Sequence, residues 1–346
     1  MREGTARTEA ERMAPITVAM AGDTMLGRGV GERLGEVPEP ATILSEEIRD
    51  VIAGADLCVL NLECCVSGRG EPWAAPGKPF FFRAPPPAAA ALAELGVDCV
   101  TLANNHALDY GFDALADTHE LLTAAGIRVV GAGADVAAAR AYTVLEARGV
   151  RLAVVGVTDH PDDFAAGPDR PGVAFADLHR GVPDWLAELV GRAAAEADAV
   201  LVTPHWGPNM TSVPPHHVRV AAAELLAAGA TLVAGHSAHV FHGVAGPVIH
   251  DMGDFVDDYA VDPVLRNDLG LLFLVTLDNP ARPDAPAPAP YRPVRLEAVP
   301  LRLDYCRTEP ARGEDWEWVR ERFSRACAAF GTPVTVRGER LLVEWQ

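Results

Sequence analysis

Residues 101–111 read TLANNHALDYG, and an apolar run at 97–103 gives way there to Asn104, Asn105 and His106. An asparagine carbonyl oxygen can ligate a metal, and an adjacent imidazole can donate a proton. The same residues can form a plain strand-to-helix turn, with Asn104 or Asn105 capping the helix that follows. Taken alone, the motif favours the plainer reading. Four other apolar runs shift the balance. Residues 16–22 stop at Asp23, 56–62 at Glu63, 199–204 at His205, and 231–235 at His236, with His239 close behind.

Short, continuously apolar runs read as strands of a parallel sheet covered on both faces. In open α/β sheets, ligands bind outside the carboxyl ends of such strands. The five ends should therefore meet along one edge. Two carboxylates, several imidazoles and an amide can hold two divalent ions, and a mixed oxygen and nitrogen set suits Mn, Fe or Zn better than Mg or Ca. A two-metal site activates water and steadies the leaving oxygen of a phosphoryl or acyl substrate. Each residue also has a plainer role open to it. Asp23 can cap a helix, and His205 beside Trp206 can be a packed core histidine. Glu63 is harder to dismiss, because it ends an apolar run and precedes Cys64 and Cys65, poor surroundings for an idle charge. His236, His239 and His242 crowd one short stretch, which favours metal. Asp159 and His160, after an apolar run at 151–157, are weaker candidates for substrate contact. His216 and His217 follow Pro214–Pro215 and read as a surface turn; His119 and His179 fall in helical stretches.

The elements that must position these groups alternate between strand and helix. Helices are expected over 40–54, 87–95, 113–125, 184–197 and 218–228, a hairpin or two adjacent strands over 142–146 and 151–157, and a strand over 269–277. Gly27, Gly29 and Gly31 read as a loosened turn. The loop at 67–87 is rich in Gly and Pro and carries Lys78 and Arg83; loops of that length are usually functional or mobile. Residues 1–14 are expected to be a disordered tail, 15–280 the main domain, and 281–346 an extension packed on it as extra sheet edge. Its parts are a strand at 294–303, a helix at 314–329 and a hairpin at 334–345. No internal repeat is present.

Composition narrows the function classes. The chain has 346 residues and a formal net charge of -19, which argues against non-specific binding to nucleic acid or anionic membrane. Its six cysteines form no C-x-x-C pair, as in a reduced cytoplasmic protein. No apolar run is long enough to span a membrane, and the first residues carry no secretory h-region. There is no GxxxxGK[ST] loop. Gly235–His239 approaches a G-x-S-x-G nucleophile elbow, but His239 replaces the last glycine.

The segments AGDTMLGR (21–28), NLE (61–63), PFFFRAP (79–85), ANNHALDYG (103–111), HWG (205–207), GHSAHV (235–240) and GDF (253–255) together resemble the CapA family. That family is named for capsule, or poly-γ-glutamate, biosynthesis and is related to the calcineurin-like metallophosphoesterases. The resemblance covers about residues 16–275. It implies a four-layer α/β/β/α sandwich of the metallophosphoesterase type, with a dinuclear site. Asp23, Glu63, Asn105, His205, His236 and His239 would be the metal ligands, and His106 and Asp109 the catalytic residues. Arg28, Lys78, Arg83 and Asp254 would contact substrate. Two departures stand out: Met25 occupies the histidine place of the D-x-H motif, and His236 and His239 are three apart where H-x-H is usual.

The leading expectation is a soluble metal-dependent hydrolase, with a metal-bound hydroxide attacking a phosphoester or a γ-glutamyl or peptide-like amide and two ions of Mn, Fe or Zn as cofactors. The partner would be a small-molecule or peptide-like anionic substrate, not nucleic acid or membrane; the oligomeric state stays open. The alternatives are a biosynthetic enzyme that forms or processes amide bonds on a glutamyl substrate, and a non-catalytic protein that binds an anionic polymer.

Overall fold

The computed structural model describes residues 14–74, 77–279 and 290–345. The tail expected at 1–14 lies outside the described residues, apart from residue 14, as does the start of the expected extension, up to residue 289. A ten-stranded sheet carries Ile16–Thr24 near its middle. On one side Leu57–Leu62, Cys99–Thr101 and Arg128–Val130 follow in parallel. On the other, Leu269–Asp278 and Arg292–Asp304 pair antiparallel, and Arg340–Glu344 extends the edge. A second, five-stranded sheet runs from the Thr143–Ala147 and Val150–Thr158 hairpin through Ala199–His205 and Leu232–Ala234 to Val248–Ile249.

Strand alternation sorts these residues into layers. Val18 and Met20 face the second sheet and pack with Leu152, Val154 and Leu201. Ala19 and Ala21 face the other way, toward Leu34, Ile48 and Leu92 of flanking helices. The far face of the second sheet buries Ala153, Val155, Val200 and Val202 under Leu186 and Leu189 of helix Asp184–Glu196 and Val218 and Leu225 of helix His216–Ala227. The fold is thus helix, sheet, sheet, helix. Each fully buried aliphatic side chain contributes about 1.5–3 kcal/mol, and period-two strands carrying apolar residues on both faces can bury them only in such a stack. Helix Gly313–Ala328, from the end of the chain, adds Val319 and Phe323 to the core between the sheets.

Three expected elements differ. The glycines 27, 29 and 31 do not make a turn: helix Arg28–Glu36 runs through Gly29 and Gly31. Close packing selects the glycines there, since a Cβ on Gly29 would lie 2.9 Å from Cys306 Sγ. The helix expected over 40–54 is split into a 3-10 turn, Pro40–Thr42, and helix Glu46–Ala53. Ser45 interrupts it by accepting a hydrogen bond from the Ile48 amide at 3.3 Å, as an N-cap does. The residue pair His216–His217 opens a helix instead of forming a surface turn. All six cysteines are free and buried. Among the described residues, no helix is long and apolar enough to cross a membrane.

Candidate metal centre

Parallel pairing brings the strand ends together. Asp23 lies opposite Asn61 on one side and Asp254 on the other. In the second sheet, His205 bridges to His236. The approach of the first pair depends on Gly22, where a Cβ would sit 1.7 Å from the Gly253 carbonyl oxygen. Strand ends from both sheets therefore supply one buried cluster.

Within it, Asp23, Glu63 and His239 each offer one ligand atom, all within 4.8 Å of one another. Asp23 Oδ1 lies 3.4 Å from His236 Nδ1, and Asp23 Oδ2 lies 3.4 Å from His239 Nδ1. His205 Nε2 and His106 Nε2 are each 4.0 Å from Glu63 Oε1. The supports are specific. Asn61 Nδ2 donates to Asp23 Oδ1 at 2.7 Å, and Asn104 Nδ2 donates to Asn61 Oδ1 at 2.9 Å. Thr203 Oγ1 meets His236 Nε2 at 2.9 Å, which leaves Nδ1 toward the cluster. His106 Nδ1 contacts Asp109 Oδ2 at 2.5 Å, and Phe82 covers the imidazole with ring centroids 4.1 Å apart.

The electrostatics are those of too many acids in too dry a place. Burial pushes the Glu63 carboxyl well up, and Asp23 and Asp254 add to the effect. Burial and neighbouring carboxylates do the same to Asp251 and Asp254, while Asp257 is pushed up to about 6, chiefly by burial. Asp23 goes the other way: burial opposes its charge, but His236, His205 and His239 outweigh it. His205 is held well below the usual histidine range by burial, and His106 is lowered by burial with Lys78 and His239 adding to it. Burial also opposes the charge on His239, yet Glu63 and Asp23 raise it.

These residues fit a divalent ion. Asp23 Oδ2, Glu63 Oε1, Asn105 Oδ1, His205 Nε2, His236 Nδ1 and Asp254 Oδ2 are buried with no hydrogen-bond partner. Each such orphan costs about 1–3 kcal/mol, and a cation held among those of Asp23, Glu63, His205 and His236 would satisfy several at once while relieving the carboxylate repulsion. The oxygen and nitrogen mixture suits Mn, Fe or Zn. Met25, standing where a nitrogen ligand was expected in the first motif, is fully buried, and its sulfur accepts from the Gly27 amide at 3.1 Å.

The remaining candidates separate. Asp254 Oδ1 meets His239 Nδ1 at 2.8 Å, so it lies at the cluster and braces that ring. Lys78 is paired with Asp109 at 3.0 Å and donates to the Asn105 carbonyl at 2.8 Å, which places it behind the turn that carries His106. Arg28 lies over Phe82 and Tyr259 and is paired with Asp258, with about a third of its side chain (35%) exposed. Arg83 is not brought into the cluster: it donates to the Arg69 and Gly70 carbonyls and stacks on Tyr110. His242 is also elsewhere, bound to the Thr211 carbonyl. Asn61, Asp257 and Tyr259 were not singled out from the sequence. Asn61 had a signal, a polar residue inside an apolar run; the other two follow a strand of only three residues, Asp254–Val256.

A four-layer α/β sandwich with a buried carboxylate–imidazole centre between strand ends is the class of protein defined so far. The chain belongs to the family described as bacterial capsule synthesis protein PGA_cap, whose pattern matches residues 17–259 and so spans the whole cluster. It is similar to a probable polyglutamine synthesis accessory protein of Mycobacterium tuberculosis, with 32% identity over 94% of this chain and 95% of that protein. The PGA biosynthesis protein CapA of Bacillus subtilis is 28% identical over 70% of this chain and 63% of its own length. A hypothetical protein from Thermus thermophilus, of known structure, aligns over 85% of this chain and 96% of that one at 18% identity, with a TM-score of 0.41.

Proposed function

We propose that this chain is a divalent-metal-dependent hydrolase acting on an anionic substrate, and that the bond cleaved is a γ-glutamyl amide. One observation carries the reading: the unpartnered ligand atoms of Asp23, Glu63, His205 and His236 converge beside a His106–Asp109 pair. The choice of an amide over a phosphoester rests on the names of the relatives, which speak of PGA biosynthesis and polyglutamine synthesis.

Asp23, Glu63 and His239 would hold one ion, and Asn105, His205 and His236 would complete that sphere or hold a second. When bound, divalent ions at such a centre activate water and act as Lewis acids toward the bond cleaved. The protein's own part is proton transfer and positioning. Asp109 fixes the His106 ring through Nδ1, so Nε2 is the position that hands a proton to the leaving nitrogen. Lys78 steadies Asp109. Phe82 covers the imidazole, and Arg28, about a third exposed, would exchange Asp258 for a substrate carboxylate in order to bind one.

The test is turnover of a γ-glutamyl oligomer and, in parallel, a phosphoester, each with Mn, Fe or Zn. His106→Ala is expected to lower turnover by about 100-fold or more and leave metal content unchanged. Unchanged turnover would sink the role of His106, and cleavage of the phosphoester alone would sink the amide. A second reading, a non-catalytic binder of an anionic polymer, is favoured by Met25 at a ligand place. It expects binding without turnover by any metal form.

A further inference from the structure

Outside the centre just described, a second group of ligating side chains comes together from three elements. Asp159 follows strand Val150–Thr158, His179 lies in the 3-10 turn Leu178–Arg180, and His217 opens helix His216–Ala227. One ligand atom from each lies within 4.8 Å of the other two. His217 Nε2 is 3.4 Å from Asp159 Oδ2, and it is buried without a hydrogen-bond partner. The His179 and His217 rings face each other with centroids 3.7 Å apart. The Asp159 carboxylate is itself braced: Oδ2 accepts from the Gly207 amide at 3.0 Å, and Oδ1 contacts His160 Nδ1. Ring stacking and the His217–Asp159 contact bring these groups together, yet they leave His217 Nε2 without a hydrogen-bond partner. A braced carboxylate with open imidazole nitrogens is how a metal ligand set is held.

We propose that Asp159, His179 and His217 form a second divalent-metal site, distinct from the Asp23–Glu63–His239 centre, which takes a zinc-class ion and leaves its remaining coordination open to solvent. Two imidazoles and one carboxylate are a zinc donor set, too rich in nitrogen for Mg or Ca. His179 is exposed, so its ring can turn toward an incoming ion. Such an ion would tie the 3-10 turn and the helix to the end of strand Val150–Thr158. The His160 ring lies 5.1 Å from that of His205, so occupancy here would stiffen one wall of the main centre.

The experiment titrates the full-length, chelator-stripped protein with Zn against a chromophoric chelator, and repeats it with Co to read the absorption of the bound ion. The variants are His179→Gln, His217→Gln and Glu63→Gln. Wild type is expected to bind one equivalent that survives Glu63→Gln, and either histidine variant should weaken that equivalent by at least about 100-fold, since loss of a ligand must exceed the effect of losing an outer partner. The exposed His179 can be replaced without disturbing the fold, which a thermal melt in chelator checks. Wild-type stoichiometry and affinity in a folded His179→Gln would overturn the proposal, as would loss of all Zn binding in Glu63→Gln.

Discussion

Tyr259 shows how much of the candidate metal centre lies one layer behind the residues that would be its ligands. Its hydroxyl donates to Glu63 Oε2 at 3.1 Å, and its ring meets His239 edge-on and Phe82 at a tilt. That hydrogen bond turns the other oxygen, Oε1, toward the cluster. Tyr259→Phe keeps the ring and frees the carboxylate to rotate, so Mn or Zn affinity measured by calorimetry should fall about 10–100-fold; an unchanged affinity would remove Tyr259 from the centre. Asp257 makes a prediction about pH. Burial holds its carboxyl at about 6, above its ordinary 3.8. A raised carboxyl gives stability that is present below the lower value and lost as pH rises through the upper one. In chelator, Asp257→Asn should therefore gain on wild type by up to about 3 kcal/mol between pH 4 and pH 7.5. Denaturation curves at the two pH values measure it, and a constant difference between variant and wild type would refute it. Asp23, Glu63, Asn105, His205 and His236 could be read as candidates because each stands at or just past the end of an apolar run, and His239 because it follows close behind His236. Tyr259 and Asp257 were not, because their positions are set by a turn and not by a pattern. Arg83 misled for a related reason: its charge is visible in the sequence, but not the Arg69 and Gly70 carbonyls that engage it.

At the scale of elements, the centre depends on how closely strand Ile16–Thr24 approaches strand Asp254–Val256, since that register sets Asp23 opposite Asp254. Gly22 makes the approach possible. A Cβ there would meet backbone, the Gly253 oxygen at 1.7 Å, and backbone cannot step aside as a side chain can. Gly22→Ala should cost about 3 kcal/mol or more and take metal binding with it. Gly35, in helix Arg28–Glu36 with nothing within 4 Å of its Cβ position, is the control. Gly35→Ala should be neutral or stabilising by up to about 1 kcal/mol. Thermal melts of the two variants decide between a local and a general intolerance of alanine. The helices and strands themselves were readable from continuous apolar runs and their periodicity. The helix through Gly29 and Gly31 was not, because glycine is a poor helix former and the choice is explained by close neighbours, Cys306 and Tyr305 at Gly29 and the Leu26 carbonyl at Gly31. Sequence pattern reports which residues want burial; it does not report how near a neighbouring backbone will come.

At the scale of the molecule, the formal charge of -19 sets the approach of any anionic substrate. On the proposed function, long-range repulsion would act on such a substrate until it reached the centre, where Arg28 and bound ions would take over. Salt screens the repulsion over about 10 Å at 0.1 M and leaves contacts within the pocket less affected. For an anionic γ-glutamyl oligomer, kcat/KM should therefore rise several-fold as NaCl increases from about 0.02 to about 0.2 M. Free metal must be held constant, because salt also weakens metal binding. A neutral, amide-capped analogue should show no such rise. This sign is the reverse of ordinary electrostatic steering, in which salt slows association. A fall in kcat/KM with salt would mean that a local positive field from Arg28 and the ions already dominates at the distance of encounter, and that net charge does not govern approach. The two outcomes also bear on substrate length. If repulsion dominates, each added glutamyl unit should steepen the salt dependence, because each brings another charge into the protein's field.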